Sequence, residues 1–294
     1  MKGLTQGDKI GMISTARKIE FKELSKAIKL LESWGYVIVL GSNLFEEDDQ
    51  FSGTINQRTS DLQSMLDNDE IKAVLCVRGG YGTVQIIDRI DFSKFIKYPK
   101  WIIGYSDITV LHSHLNNLGV STLHATMPIN FGSNSNDSLI SLKNSLKGEA
   151  NKIECNSHKL NRTGKVDAEI VGGNLSVLYS LLGSNSDVIT KDRILFIEDL
   201  DEYLYHIDRM MINFKRNGKL TNLKALVVGG MNNMNDNEIR FGKSAEEIIF
   251  NHVAEYDYPI CFGFPSGHIK DNRAIKLGVN SILDISKNGV SLLQ

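Results

Sequence analysis

Short apolar runs rich in β-branched residues alternate along the chain with amphipathic stretches, the pattern of strand and helix units on a largely parallel sheet. The spacing predicts a strand over Lys9–Ser14, a helix over Glu20–Ser33 with Leu24, Ala27, Ile28 and Leu31 on one face, and a strand over Val37–Leu40. A second cycle predicts a helix over Asn56–Leu66, a buried strand over Ala73–Val77 and a short helix over Thr83–Arg89. It continues with a strand over Trp101–Gly104 and a helix over Ile108–Leu118, which leads into Ser121–Ala125. From Gly132 to about Lys165 the alternation gives way to Asn, Ser and Lys, as in Ser133-Asn134-Ser135-Asn136-Asp137. A linker is expected there, dividing residues 1–131 from a second α/β domain at 166–294.

In that second domain strands are expected at Asp167–Val171, Ile194–Ile197, Ala225–Val228 and Ile260–Phe262, with helices at Asn174–Leu182, Leu204–Arg216 and Ser244–Ala254. The end of the chain changes character. Ala274–Val279, Ser281–Ile285 and Val290–Leu293 read as antiparallel strands joined through Gly278-Val279-Asn280 and Lys287-Asn288-Gly289.

Composition narrows the function classes. The chain has 294 residues, 41% hydrophobic, with 33 basic against 35 acidic side chains and a net charge of −2, so it lacks the excess of basic charge expected of a nucleic-acid binder. Cys76, Cys155 and Cys261 are far apart in sequence and read as buried small hydrophobes, with neither a disulfide framework nor a thiolate zinc site. No apolar leader and no run of 18 apolar residues is seen, so no membrane partner and a cytoplasmic location are expected. A phosphate loop and a His-Glu-x-x-His helix are both missing, and Arg78-Gly79-Gly80-Tyr81-Gly82 lacks dinucleotide-turn spacing, so no metal or cofactor is expected.

Chemistry concentrates elsewhere. Trp101-Ile102-Ile103-Gly104-Tyr105-Ser106-Asp107-Ile108-Thr109 is an apolar strand that ends in a Gly-x-Ser turn before a helix, the setting in which a sharp turn lifts a serine Oγ beside backbone N–H groups able to hold an oxyanion. The second glycine of Gly-x-Ser-x-Gly is replaced by Ile108, and taken alone Ser106 reads more readily as a helix N-cap. Among seven histidines, His268 follows a strand end within Gly263-Phe264-Pro265-Ser266-Gly267-His268, where reacting groups gather in open α/β sheets; His124, at or near a strand end, is the second candidate base. Glu198 ends the apolar run Ile194-Leu195-Phe196-Ile197 and is the candidate acid to orient an imidazole. A competing reading makes Glu198, Asp199, Asp201 and Glu202 the acidic cap of the following helix.

These motifs resemble those of the serine LD-carboxypeptidases, a group that includes the microcin immunity peptidases and carries a Ser-Glu-His triad. The resemblance spans nearly the whole chain: Gly7-Asp8-Lys9-Ile10, Val77-Arg78-Gly79-Gly80-Tyr81-Gly82, Gly104-Tyr105-Ser106-Asp107, Gly172-Gly173-Asn174-Leu175, Phe196-Ile197-Glu198-Asp199, Ile207-Asp208-Arg209-Met210 and the Gly263–His268 segment. It implies an N-terminal α/β domain like that of glutamine amidotransferases and a C-terminal domain carrying the acid and base. It further implies Ser106 as nucleophile, His268 as base, Glu198 as its partner, an oxyanion hole from Gly80 and Asp107 N–H groups, and a homodimer. The implied reaction removes D-Ala from cytoplasmic murein tetrapeptides at the L-centre of a diamino acid.

Arg78 is the candidate for the substrate carboxylate, with Arg209 weaker, and Gly79, Tyr105, Tyr81 and Asn174 are further cleft candidates. Asn174 reads equally as an N-cap, and each arginine as one half of an ordinary ion pair. The alternatives are a serine amidase acting on a peptide-nucleotide antibiotic, or a non-catalytic two-lobed binding protein.

Overall fold

A computed structural model describes residues 1–294. The first half builds β1 (Lys9–Ile13), α1 (Phe21–Ser33), β2 (Val37–Leu40), α2 (Ile55–Asp67), β3 (Ile71–Cys76), α3 (Ser93–Lys97), β4 (Trp101–Gly104), α4 (Thr109–Asn117), β5 (Thr122–His124) and α5 (Asn136–Leu146). The second builds β6 (Lys152–Cys155), β7 (Gly164–Asn174), α6 (Leu175–Ser180), β8 (Ile194–Leu200), α7 (Leu204–Arg216), β9 (Ala225–Asn232), α8 (Ala245–Val253), β10 (Ile260–Cys261), β11 (Ile275–Leu277), β12 (Val279–Ser286) and β13 (Gly289–Leu293).

Two mixed sheets result. The N-terminal one runs β11-β5-β4-β3-β1-β2 and is parallel except for β11; the C-terminal one runs β10-β9-β8-β7-β12-β13-β6, with β10 to β7 parallel and the rest antiparallel. Both faces of the N-terminal sheet are covered, which is why its strands are continuous apolar runs. In that sheet the strand order reverses between β1 and β3, opening a crevice beyond their carboxyl ends, where ligands bind in open α/β sheets.

Two expectations need correction. The span 132–165, expected to be a linker, contains α5, β6 and the start of β7. Its polar reading has a physical cause: α5 turns Ser138, Ser141 and Ser145 inward beside Leu142 and Leu146, so its buried face does not look apolar in sequence. Ser141 Oγ accepts from the Ala274 N–H and Ser135 Oγ donates to Asp271, which ties α5 to the loop ahead of β11.

The second correction concerns the chain end, where Ala274–Val279 and Ser281–Ile285 do not pair with each other. β11 adds to the free edge of β5, with Ile275 opposite His124, while β12 lies along β7. Gly278, at φ +73°, turns the chain from one sheet to the other, and its N–H donates to the Ile170 carbonyl. Each strand thereby covers an edge that would otherwise be open. The β12–β13 hairpin forms through Lys287-Asn288-Gly289 as expected.

The sheets are also clamped by α4 against the end of β7 and the loop after α6. Ser113 Oγ donates to the Ser186 carbonyl, Asn117 Nδ2 to the Asp187 carbonyl, and the Asn174 N–H to Thr109 Oγ1. Within the C-terminal sheet, Gly172 has φ +130°, and a Cβ added there would lie 1.9 Å from the Phe196 carbonyl oxygen of β8. Gly172→Ala should therefore cost about 2–4 kcal/mol of stability, read as a lower urea midpoint at unchanged slope. An unchanged midpoint would contradict the close approach.

Candidate active site

Ser106 leaves β4 through Gly104 and Tyr105 and begins a single 3₁₀ turn, Ser106–Ile108, that runs into α4. Its φ is +64°, a left-handed conformation that costs a non-glycine residue about 1–3 kcal/mol. The missing second glycine of the elbow is compensated upstream. A Cβ on Gly104 would meet Ile108 Cγ1 at 2.7 Å, so the side chain of Ile108 fills the space over Gly104.

The loop after β3 lies against the serine. A Cβ on Gly79 would stand 2.9 Å from Ser106 Cβ and 3.1 Å from its Oγ, so only a bare backbone fits there. Asp107, nearly fully buried, accepts the Thr83 N–H at 2.8 Å through Oδ2 and so ties this loop to the elbow. Burial lifts the Asp107 carboxyl above its ordinary range, with the Thr83 bonds and the Arg58 charge pulling the other way. Arg58, only 1% exposed, holds the loop from behind by donating to the Thr15 and Gly82 carbonyls and to Gln85 Oε1, with its guanidinium over the Phe51 ring.

Glu198, 0% exposed, is near the carboxyl end of β8. Its Oε2 accepts both the His268 backbone N–H at 3.0 Å and His268 Nδ1 at 2.7 Å. Because a carboxylate only accepts, Nδ1 carries the proton and Nε2 is free to act as a base. Gly267, at φ +106°, makes the approach possible: a Cβ there would lie 2.6 Å from Glu198 Oε2.

Burial opposes ionisation of Glu198, but the charge and hydrogen bonds of His268 outweigh it and hold the acid below its ordinary value. Burial likewise opposes the His268 imidazolium, and the Glu198 charge and hydrogen bond outweigh it, holding His268 above 6.5. Tyr105 packs on the His268 ring at 4.7 Å between centroids and donates its hydroxyl to Asn130 Oδ1.

Ser106 and His268 line one cleft of about 600 Å³, together with Arg78, Gly79, Gly80 and Tyr105. Sequence reasoning missed Arg17, Asn130, Asp201 and Glu202 on the same walls. Arg17 follows β1 at the strand-order reversal, so the topology could have found it. Arg78 donates to the Lys18 carbonyl, while the arginine ion pairs of the chain belong to Arg193 and Arg273, so neither cleft guanidinium is neutralised by a carboxylate.

Asn174 is placed differently. It is 3% exposed, caps α6 by accepting from the Val177 N–H, and donates Nδ2 to Asp199 Oδ1. Its side chain is therefore the N-cap, and it faces no cleft. Asp199, pushed up to about 7 by burial and by the Glu198 charge, also accepts the Ser176 N–H. Arg209 lies over the Tyr205 ring on α7, and Tyr81 against Phe51, both outside the cleft lining. No three His, Cys, Asp or Glu side chains are grouped to hold a metal ion.

A profile of the LD-carboxypeptidase N-terminal domain matches residues 10–125, and one of the C-terminal domain matches 167–283. The chain belongs to the LD-carboxypeptidase family. It is 34% identical over 293 residues to a probable murein peptide carboxypeptidase of Bacillus subtilis, covering 97% of this chain and 92% of that one. The crystal structure of muramoyltetrapeptide carboxypeptidase from Oxalobacter formigenes superposes with a TM-score of 0.89 at 25% identity, covering 97% of this chain and 98% of that one. The microcin C7 self-immunity protein of Escherichia coli is 24% identical over 328 residues, covering 99% and 94%. The family is thus a peptidase family with an α/β architecture, and no helix here is long and apolar enough to cross a membrane.

With His268 as the base, kcat/KM should fall on acidification through a limb lying above pH 6.5, since protonating Nε2 removes the base. Glu198→Gln should lower kcat by about 10²–10⁴-fold and move that limb to lower pH, because the imidazolium loses its counter-charge. A limb unmoved in a pH–rate profile of the variant would contradict the pairing.

Proposed function

We propose that the protein is a serine LD-carboxypeptidase that removes the terminal D-Ala from murein tetrapeptides by cutting the amide on the L-centre of the third-residue diamino acid. One observation carries the reading. A serine held in left-handed backbone shares a cleft with an imidazole whose far nitrogen is bonded to a fully buried carboxylate, beside two arginines without acidic partners.

In this reading Ser106 Oγ attacks the scissile carbonyl carbon as His268 Nε2 takes its proton. The oxyanion is received by the backbone N–H groups of Gly80 and Asp107, the first on the loop packed against Ser106 and the second directly after it. Collapse breaks the C–N bond, and the His268 proton passes to the leaving amine of D-Ala. Water then enters, His268 takes its proton, and the acyl-enzyme is hydrolysed with return of that proton to Ser106. Glu198 keeps Nδ1 protonated and the ring in line throughout.

An exopeptidase must also pair its substrate's terminal carboxylate, and Arg78 is the residue we assign to it, because its guanidinium lines the cleft without an acidic partner. The murein names of the relatives at 34% and 25% identity support this substrate class over the peptide-nucleotide antibiotic of the more distant immunity protein. A cytoplasmic homodimer taking part in cell-wall recycling completes the proposal, in keeping with the resemblance.

Incubating the protein with purified murein tetrapeptides that differ at the third residue, and reading products by mass, tests the substrate. Release of D-Ala is expected, with Ser106→Ala at least about 10⁴-fold slower while still binding peptide. Turnover unchanged in Ser106→Ala would sink the serine mechanism. Arg78→Gln should raise KM more than it lowers kcat, and the defect should shrink on a tetrapeptide whose terminal carboxyl is amidated. An equal defect on both peptides would remove Arg78 from carboxylate recognition.

A further inference from the structure

Glu198 has a second oxygen, and the paired imidazole of His268 does not use it. Oε1 is buried and has no hydrogen-bond partner in the protein. Near it is a second imidazole that also lacks one. His124, at the end of β5, is 0% exposed, and neither of its ring nitrogens is bonded. Its ring meets Phe196, two residues before Glu198 on β8, edge-on at 5.0 Å between centroids, and Tyr105, which packs against His268, at 5.9 Å.

Hydrogen-bond accounting decides what can serve Oε1. A carboxylate oxygen can only accept, so it needs a donor. A neutral imidazole must carry one N–H, and a buried donor left unpaired is as unfavourable as a buried unpaired acceptor. His112, 6.2 Å from His124 between ring centroids, cannot be that donor: its Nε2 bonds the Gly104 carbonyl at 2.9 Å and therefore holds the proton, leaving Nδ1 as an acceptor. His268 already spends both its backbone N–H and Nδ1 on Oε2. Among the three imidazoles, only His124 has an uncommitted ring N–H.

We propose that His124 donates a ring N–H to Glu198 Oε1 through one enclosed water, since no direct bond joins them, and so fixes the rotation of the carboxylate that presents Oε2 to His268. His124 is thus a positioning residue, contributed by the N-terminal sheet to an acid–base pair carried by the C-terminal one. The proposal rests on the Ser106, His268, Glu198 reading for its effect on turnover, but the contact itself does not. The ionisable groups facing His124 are Glu198 from β8, His112 from α4, Tyr105 from the turn after β4 and His268 from the loop after β10. Burial carries His124 down to about 3, against the pull of Glu198, so it serves as a neutral donor across the working pH range.

His124→Phe keeps a ring of similar size and removes the donor, whereas His124→Gln keeps an N–H. His124→Phe should lower kcat on the tetrapeptide by roughly 10- to 100-fold with KM within about twofold. It should also move the acid limb of kcat/KM to higher pH, because a carboxylate relieved of one donor holds the His268 imidazolium more strongly. His124→Gln should restore most of both. In the substrate-free protein, the low-field proton resonance of His268 Nδ1 should shift or broaden in His124→Phe and return in His124→Gln.

A folded His124→Phe protein with wild-type kcat, acid limb and resonance would overturn the proposal and leave His124 as packing. Should His124→Phe fail to fold, ¹⁵N-labelled histidine in the wild-type protein decides: a hydrogen-bonded N–H at His124 supports the contact, and a free one overturns it. These resonance measurements need no substrate. Absence of turnover in the wild type would therefore refute the assigned activity while still allowing the His124 contact to be judged.

Discussion

Glu198 is a carboxylate with none of its surface in water, and an unpaired charge in that position would be driven to take up a proton. It stays ionised because one oxygen receives two donors from a single residue, the backbone and the ring of His268. Much of the surrounding structure makes room for that arrangement. Gly267 lets the His268 loop pass over the carboxylate, and the bare backbone of Gly229 leaves space beside Glu198 Cβ and the Ser266 carbonyl. Placing an acid at the end of an otherwise apolar strand thus commits the chain to a particular loop after β10 and to glycine at specific positions beside it.

The same economy governs how the two sheets meet. Ser106 leaves the carboxyl end of β4, while Glu198 and His268 leave the carboxyl ends of β8 and β10, so two separately wound sheets turn their reactive edges to one cleft. Asn174 links them without entering the cleft. Its backbone N–H holds Thr109, three residues beyond the serine, and its side chain holds Asp199, next to the acid. A residue that resembles a substrate contact by its place in a glycine-rich motif instead ties the two candidate edges together. Arg58 does comparable work for the glycine loop, where a buried guanidinium spends its donors on backbone carbonyls.

Much of the candidate site was legible from local rules. A strand ending in Gly-x-Ser before a helix, an acid closing an apolar run and a histidine in a glycine-bounded loop each announce themselves by position relative to a strand end. What local rules missed follows from their reach. The inward serines of α5 erased its apolar period, so a helix read as linker, and the partner of β11 is β5, about 150 residues earlier, which no hairpin rule would propose. Arg17 had no motif of its own. It joins the site only because β1 and β3 are neighbours where the strand order reverses.

By itself, the sequence determined most of the strands and helices, the strand ends where the candidate site residues lie, and, through its motifs, the resemblance to the family. The elements and strand ends follow from periodicity and from residue types that must sit at turns, both properties of a few neighbouring residues. Only the tertiary structure decided that the charge of Glu198 is paired, that Asn174 faces inward while Arg17 faces the cleft, and that His124 is buried with neither ring nitrogen bonded. Each of these depends on burial and on partners brought together from distant parts of the chain. Hydrogen-bond demand can be counted only once the water-excluded space that creates it has closed.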